Sequence, residues 1–168
     1  MAGKKTLILN NQQIHQKIDR IAYQIYEDNY AEDEIVVVGI ANNGYLLAKT
    51  IVKRLKKIAE CKITLAKLTI NKEKPLENQG ELDISPDHLN NKVIILVDDV
   101  LNSGKALIYG VKFLLDFPIK KMSTAVLVDR NHKKYPIGTH YVGLSLSTTL
   151  QNHISVEFNG SEILAFIK

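Results

Sequence analysis

Short apolar runs that alternate with helix-like segments most constrain what this chain can fold into. Ile35–Val38 and Val93–Val97 are continuous apolar runs, and Ile63–Ile70 and Thr124–Val128 are similar but less regular. Continuous runs of this length are typical of strands that are buried on both faces, as they are in parallel sheets. The order of the segments therefore predicts an α/β fold with a mainly parallel sheet.

The segments between these runs carry apolar residues at helical spacing. A helix is predicted over Asn11–Tyr30, a second after Gly44, and a third that Asn102 or Ser103 would cap. The predicted buried positions of the three helices are Ile14, Ile18, Ile21, Ala22 and Ile25; Leu47, Ile51, Leu55 and Ile58; and Leu107, Val111, Leu114 and Leu115.

The remaining chain is predicted as one long irregular segment followed by strands. Asn71–Asn91 has no periodicity, and a segment of this length is either a lid or a plain surface hairpin. Tyr141–Leu144 reads as a strand. Ile154–Phe158 and Ile163–Ile167 flank Asn159-Gly160, which is a strong hairpin signal.

Composition indicates one globular domain over residues 1–168. The chain is 45% hydrophobic and 24% charged, which argues against disorder and coiled coil. The single cysteine, Cys61, excludes an internal disulfide. No apolar run approaches the roughly 20 residues that span a bilayer, and the N-terminal run is too short for a signal peptide. We therefore expect a cytoplasmic protein with no membrane partner.

One segment, IILVDDVLNSGKA (Ile94–Ala106), carries the chemistry. Asp98 and Asp99 follow a buried strand, and their side chains should point in different directions because successive residues of a strand alternate. A turn with Gly104 then leads into a helix, whose first N–H groups form an anion cradle. The segment predicts a phosphate seat beside an acidic pair, which suits a sugar that carries a phosphate and a pyrophosphate. A Walker-type loop is excluded, since it needs two glycines before the lysine.

IILVDDVLNSGKA resembles the phosphoribosyl-pyrophosphate motif of the type I phosphoribosyltransferases. The resemblance covers nearly the whole chain and is strongest to the pyrimidine-operon regulators that double as uracil phosphoribosyltransferases. The segments that carry it also include ILNNQQIHQKIDRIAYQI (Ile8–Ile25), VVGIANNGYLLAK (Val37–Lys49) and AVLVDRNHKKYPIGTHYVG (Ala125–Gly143). The fold implied is a five-stranded parallel core with helices on both faces and a small hood.

The resemblance also implies roles for individual residues. Asp98 and Asp99 would be catalytic, holding the ribose hydroxyls with Mg²⁺ brought by the substrate close by. Asp129 and Arg130 would lie on the base side, Asn71–Asn91 would form the hood, and its Lys72 or Lys74 would face the leaving pyrophosphate. The 5-phosphate loop would be Val100, Leu101, Asn102, Ser103, Gly104, Lys105 and Ala106, and the pyrophosphate loop Ala41, Asn42, Asn43 and Gly44.

Four features depart from the family pattern, and one is the hood, which reads Thr69–Lys74 where the regulators have a Tyr-Arg-Asp-Asp-like stretch. The pyrophosphate loop of the regulators usually reads Lys-Thr-Arg-Gly, so the present Ala41–Gly44 loop lacks two cations. Ala106 replaces a hydroxyl residue that usually reaches the phosphate. Asn102 stands where 6-oxopurine transferases place an aspartate, and because asparagine cannot act as a general base, hypoxanthine or guanine is disfavoured as substrate.

The sequence leaves three functions open. The favoured one is a Mg²⁺-dependent enzyme that transfers ribose 5-phosphate from phosphoribosyl pyrophosphate (PRPP) to a small base, with a pyrimidine such as uracil expected. The second is a regulator that senses PRPP or nucleotides and binds RNA through Lys53–Lys57 or Arg130–Lys134; RNA is the less favoured partner. The third is an inactive paralogue. Family resemblance also implies a homodimer or a higher homo-oligomer.

Overall fold

The strands with apolar runs form one parallel sheet in a computed structural model that describes residues 3–168. The helices are α1 (Asn11–Asn29), α2 (Asn43–Ile58) and α3 (Lys105–Leu114), with a 3₁₀ turn at Pro86–Leu89. The strands are β1 (Thr6–Leu9), β2 (Glu34–Ile40), β3 (Lys62–Thr69), β4 (Glu81–Leu82), β5 (Val93–Leu101), β6 (Lys121–Asp129), β7 (Tyr141–Ser145), β8 (Ile154–Asn159) and β9 (Glu162–Ile167).

The main sheet has the order β4-β3-β2-β5-β6-β7. All neighbours are parallel except the short β4, which pairs antiparallel with β3. The five parallel strands confirm the fold predicted from the sequence. Strand β5 lies between β2 and β6, which explains why Val93–Val97 contains no polar residue.

Two apolar cores cover the two faces of this sheet. Helices α1 and α2 pack on one face, together with alternate residues of the central strands such as Val37 and Ile95. Helix α3 packs on the other face, against residues such as Val36 and Ile94. Helices therefore lie on both faces, as expected.

A second, three-stranded antiparallel sheet has the order β1-β9-β8. The hairpin of β8 and β9 was predicted from Asn159-Gly160 and is confirmed. Strand β1 was not predicted, because it has only four residues and its partner, β9, lies at the other end of the chain: Thr6 pairs with Ile167.

The start and the end of α3 differ from the prediction. The N-cap is Gly104 in the left-handed region (φ +87°) rather than Asn102 or Ser103, and Ser103 Oγ still accepts a hydrogen bond at 3.2 Å from the backbone N–H of Lys105, the first residue of the helix. Leu115, predicted to be buried, is 62% exposed, because the buried face of α3 runs through Leu107, Gly110 and Leu114, and Leu115 lies to one side of it. A left-handed turn favours glycine, and this turn directs the chain from β5 into α3.

The segment 71–91, called the hood below, contains β4 and the 3₁₀ turn. Leu82 of β4 pairs with Leu68 of β3, and Leu89 is fully buried beneath α3 and the sheet. The hood is thus anchored at its C-terminal half. Among residues 3–168, no helix is both long enough and apolar enough to cross a bilayer.

Candidate functional site

The carboxyl ends of β2, β5 and β6 meet at one edge of the sheet, and the predicted site residues follow these ends. Strand β5 runs four residues beyond the predicted Val93–Val97, since it stays paired with β6 as far as Leu101, opposite Asp129. Asp98 and Asp99 therefore lie within the strand rather than after it. Ligands of open α/β sheets bind at this edge.

Asp98 points into the cleft at this edge and is only 4% exposed. Its Oδ1 accepts a hydrogen bond from the backbone N–H of Asp99 at 2.9 Å, and Lys72 Nζ of the hood lies 3.9 Å from the same oxygen. Burial raises the pKa of Asp98 well above its ordinary value, and the charge of Asp99 raises it further, whereas Lys72 lowers it. The carboxyl is therefore costly to ionise in the folded protein.

This raised pKa gives a prediction for stability against pH. An acid whose pKa is higher in the folded state stabilises the fold fully below its unfolded value of 3.8 and loses that contribution as the pH rises through the folded value. Asp98→Asn removes the titration. We expect the free energy of unfolding of this variant, relative to that of wild type, to be larger at about pH 8 than at about pH 4 in urea denaturation, which means a relatively more stable variant at the higher pH. An equal difference at the two pH values would contradict the assignment.

Asp99 lines the same cleft and also contacts the start of α2. Its Oδ2 accepts a hydrogen bond from Nδ2 of Asn43, at the start of α2, at 3.2 Å. Asp98 thus lies beside the hood lysine Lys72 and Asp99 beside Asn43, and both carboxylates line the same cleft.

The predicted 5-phosphate loop lines a cleft of about 210 Å³ together with Asp98, Asp99 and Lys72. The backbone of this loop is held in place, because the carbonyl of Ser103 accepts from the N–H groups of Lys134 at 2.8 Å and Tyr135 at 3.1 Å. The side chain of Lys105 donates to the Glu73 carbonyl of the hood at 3.0 Å. The N-terminal N–H groups of α3 therefore open into a cleft that the hood borders.

The predicted pyrophosphate loop, Ala41–Gly44, connects β2 to α2. Its Ala41–Asn42 peptide bond is cis. Gly44 packs so closely on β5 that an added Cβ would lie 2.8 Å from the Val97 carbonyl oxygen and 2.9 Å from Asp98 Oδ1. The absence of a side chain at Gly44 brings this loop beside the acidic pair.

Of the predicted base-side residues, Asp129 ends β6 and Arg130 follows it, and both are buried. Asp129 accepts from the backbone N–H of Asn131 at 2.9 Å and lies 3.8 Å from Lys133 Nζ. The Arg130 guanidinium donates to Thr148 Oγ1 at 2.9 Å, to the Thr149 and Leu150 carbonyls, and to Asn102 Oδ1 at 3.5 Å. Arg130 thus connects the 5-phosphate loop to the segment 148–150.

The two hood lysines are separated by the fold. Lys72 lines the cleft beside Asp98, whereas Lys74 forms an exposed pair with Glu77 at 3.5 Å. Sequence reasoning could not choose between them, since it could not show which side chain turns inward. It also missed Thr148 and the Val156 carbonyl, which accepts from Asn43 at 3.0 Å, because nothing in the sequence links them to the motif.

The cleft offers oxygen ligands but no complete metal site of its own. Within residues 3–168, no three histidine, cysteine, aspartate or glutamate side chains are grouped to hold a metal ion. The carboxylates of Asp98 and Asp99 are hard oxygen donors of the kind that suits Mg²⁺ shared with a phosphate-bearing substrate.

A parallel α/β sheet with an acidic pair and an anion-binding turn at its carboxyl edge places the protein in the class of the type I phosphoribosyltransferases. Residues 5–159 match the phosphoribosyl transferase domain. The chain belongs to this family.

Curated relatives and solved structures agree with this assignment. The chain is 34% identical to the bifunctional protein PyrR of Limosilactobacillus reuteri subsp. reuteri, covering 92% of this chain and 94% of the relative. It is 35% identical to the bifunctional protein PyrR of Geobacter sulfurreducens, covering 93% of this chain and 92% of the relative.

Two solved structures share the fold at low sequence identity. A hypoxanthine-guanine phosphoribosyltransferase from Bacillus anthracis superposes with a TM-score of 0.73 at 16% identity, covering 95% of this chain and 96% of that chain. The hypoxanthine phosphoribosyltransferase of Trypanosoma cruzi has a TM-score of 0.74 at 12% identity, with 95% of each chain covered.

Proposed function

We propose that the protein transfers the ribose 5-phosphate group of PRPP to a nitrogenous base, a pyrimidine such as uracil. The observation that carries this proposal is the cleft at the end of β5, where an acidic pair, a phosphate-loop turn and the Ala41–Gly44 loop converge. Membership of the phosphoribosyl transferase domain family and the similarity to PyrR proteins support it.

The geometry suggests how PRPP would lie in the cleft. The 5-phosphate would accept hydrogen bonds from the N–H groups at the start of α3, in the loop Val100–Ala106. The ribose hydroxyls would donate to Asp98 and Asp99, which line the same cleft. The pyrophosphate would then extend over Ala41–Gly44 toward Lys72.

The reaction would be a displacement at the anomeric carbon of the ribose. A ring nitrogen of the base forms a bond to this carbon, the bond to the pyrophosphate oxygen breaks, and the proton of the nitrogen passes to the released pyrophosphate or to solvent. The transition state would resemble an oxocarbenium ion, so the residues mainly position the reactants and stabilise charge. Asp98 and Asp99 hold the sugar, while the loop N–H groups and Lys72 stabilise the departing pyrophosphate.

Mg²⁺ would enter with PRPP, and Asp98 and Asp99 are the residues that would help to hold it. When bound, the ion would neutralise charge on the pyrophosphate. The protein itself contributes few cations there, since the Ala41–Gly44 loop is neutral.

Asn102 favours a pyrimidine over a 6-oxopurine. Its Oδ1 faces the guanidinium of Arg130, which can only donate, and an amide cannot remove a proton from a purine ring. Since Asn102 lines the cleft, a base bound there would meet an amide rather than a carboxylate.

A pyrophosphate-release assay over a panel of bases tests the proposed function directly. We expect turnover with PRPP, Mg²⁺ and uracil or a related pyrimidine, and much less with hypoxanthine or guanine. Turnover only with purines would overturn the base assignment. PRPP binding without turnover on any base would instead identify an inactive paralogue.

RNA binding is the second candidate function, and the charge of α2 favours it. This helix carries Lys49, Lys53, Arg54, Lys56 and Lys57 and no acidic residue. Of these, Arg54 pairs with Asp19 at 3.2 Å, whereas Lys53 and Lys57 are exposed and border a groove of about 330 Å³. A cationic helix face of this kind suits a phosphodiester backbone.

Salt dependence tests this second candidate. We expect fluorescence anisotropy to show RNA binding whose log affinity falls with log salt by roughly 0.7 per phosphate contacted. Lys53→Glu with Lys57→Glu should remove the binding. The control, Lys112→Glu with Lys121→Glu, changes the net charge by the same amount on α3 and β6 and should retain most of the binding. Absent or salt-insensitive binding would exclude α2 as an RNA-binding face.

Self-association remains a prediction from the resemblance. Tyr23 and Tyr30 of the α1 region are exposed, whereas the Tyr26 hydroxyl accepts a weak hydrogen bond from the Glu60 N–H at 3.4 Å. Tyr26 therefore serves the fold, and Tyr23 and Tyr30 offer aromatic surface to a second copy. Sedimentation velocity measures whether a dimer or a higher oligomer forms.

A further inference from the structure

The adjacent asparagines of the pyrophosphate loop have different surroundings. Asn42 is exposed, and its side chain makes no capping hydrogen bond at the start of α2. Asn43 is partly buried, and its side chain reaches across to β5 and β8. The sequence alone makes the two residues look equivalent, whereas the fold gives only Asn43 a place inside the site.

The orientation of the Asn43 amide follows from its partners. Nδ2 lies 3.2 Å from Asp99 Oδ2 and 3.0 Å from the Val156 carbonyl oxygen. An ionised carboxylate and a carbonyl can only accept, so the amide must present its two N–H hydrogens, one to each. The reverse orientation would place the amide oxygen against two other oxygens.

The carbonyl of Val156 holds the Asn43 amide in a fixed position. Val156 lies in β8, an edge strand of the three-stranded sheet, and is 4% exposed. A buried carbonyl needs a donor, and Asn43 supplies one that no neighbouring strand provides on that side. The three-stranded sheet thus reaches into the site through Asn43.

We propose that Asn43 is a positioning residue for PRPP, which fixes the Asp99 carboxylate between α2 and β8 so that its second oxygen meets a ribose hydroxyl. The amide occupies Oδ2 and leaves Oδ1 to accept from the sugar. Because the amide is neutral, it orients Asp99 without placing a positive charge beside the carboxylate. This inference rests on the proposed function, in which Asp99 holds the ribose.

A double-mutant cycle tests it by calorimetry of PRPP binding in the presence of Mg²⁺. The proteins are wild type, Asn43→Ala, Asp99→Asn and the double variant, each as the full chain. We expect Asn43→Ala to weaken binding about tenfold in the wild-type background, the size of one hydrogen bond to a charged group. Asp99→Asn keeps an oxygen that can accept from the ribose hydroxyl, so its PRPP binding is weaker but still measurable. In the Asp99→Asn background, Asn43→Ala should weaken PRPP binding about twofold or less.

A purely structural role for Asn43 gives a different result. Loss of the Val156 contact would lower the melting temperature and weaken PRPP binding by the same factor whether residue 99 is aspartate or asparagine. Gln24→Ala, which removes an exposed amide of α1, is the matched control and should bind PRPP as wild type does.

The outcomes separate this inference from the proposed function. Equal losses in the two backgrounds, or an Asn43→Ala variant that binds PRPP within twofold of wild type, would overturn the positioning role alone. A wild-type protein that binds no PRPP at millimolar concentration would instead overturn the proposed function.

Discussion

Replacing Asp98 and Asp99 together by asparagine is expected to lower PRPP affinity at least 100-fold. Each carboxylate offers a charge-assisted hydrogen bond to a ribose hydroxyl, worth about 1.5–3 kcal/mol, so losing two corresponds to about 3–6 kcal/mol. The contribution of Mg²⁺ to binding should disappear with them. Calorimetry of PRPP binding with and without Mg²⁺ measures both effects.

This loss should not result from unfolding. Asparagine has nearly the shape of aspartate, and because burial raises the pKa of Asp98, removing its charge should not destabilise the fold. Asp33→Asn with Asp116→Asn is the matched control, since both acids are exposed and lie at the opposite edge of the sheet, before β2 and after α3. If the acidic-pair variant and the control bound PRPP equally well, PRPP would not bind in this cleft.

Gly44→Ala is expected to have the second largest effect. The new Cβ would lie 2.8 Å from the Val97 carbonyl oxygen and 3.0 Å from Asp98 Cα, and these backbone atoms belong to the central strand and cannot move aside. The start of α2, which carries the pyrophosphate loop, must shift instead. We expect a loss of about 1–3 kcal/mol in the free energy of unfolding and about 10- to 100-fold weaker PRPP binding, because the loop and Asp98 would separate.

Gly138→Ala is the matched control for this substitution. An added Cβ at Gly138 has no atom within 4 Å, so we expect stability within about 0.5 kcal/mol of wild type and unchanged PRPP binding. Urea denaturation and calorimetry measure the two quantities. If Gly44→Ala behaved like Gly138→Ala, the close contact between α2 and β5 would not matter for the site.

The helices and central strands were predictable because their signals are local. The apolar spacing of α1 and the continuous runs of β2 and β5 reflect burial that each segment shows within its own sequence. The start of α3 was not predictable in this way. The sequence offered Asn102 and Ser103 as good caps, whereas the path from β5 requires the left-handed turn at Gly104. The exposure of Leu115 likewise depends on which face of α3 the sheet covers.

Part of the candidate site was likewise predictable from local sequence, and part was not. The sequence by itself determined the parallel α/β class and the motif Asp98–Ala106, since a strand, an acidic pair and a glycine turn follow one another in a single segment. Only the tertiary structure decided that Lys72 rather than Lys74 faces Asp98, and that Asn43 rather than Asn42 holds Asp99. These contacts join residues far apart in the chain, such as Asn43 and Val156. Strand pairing and helix packing bring such residues together, and no local sequence pattern records which side chains then meet.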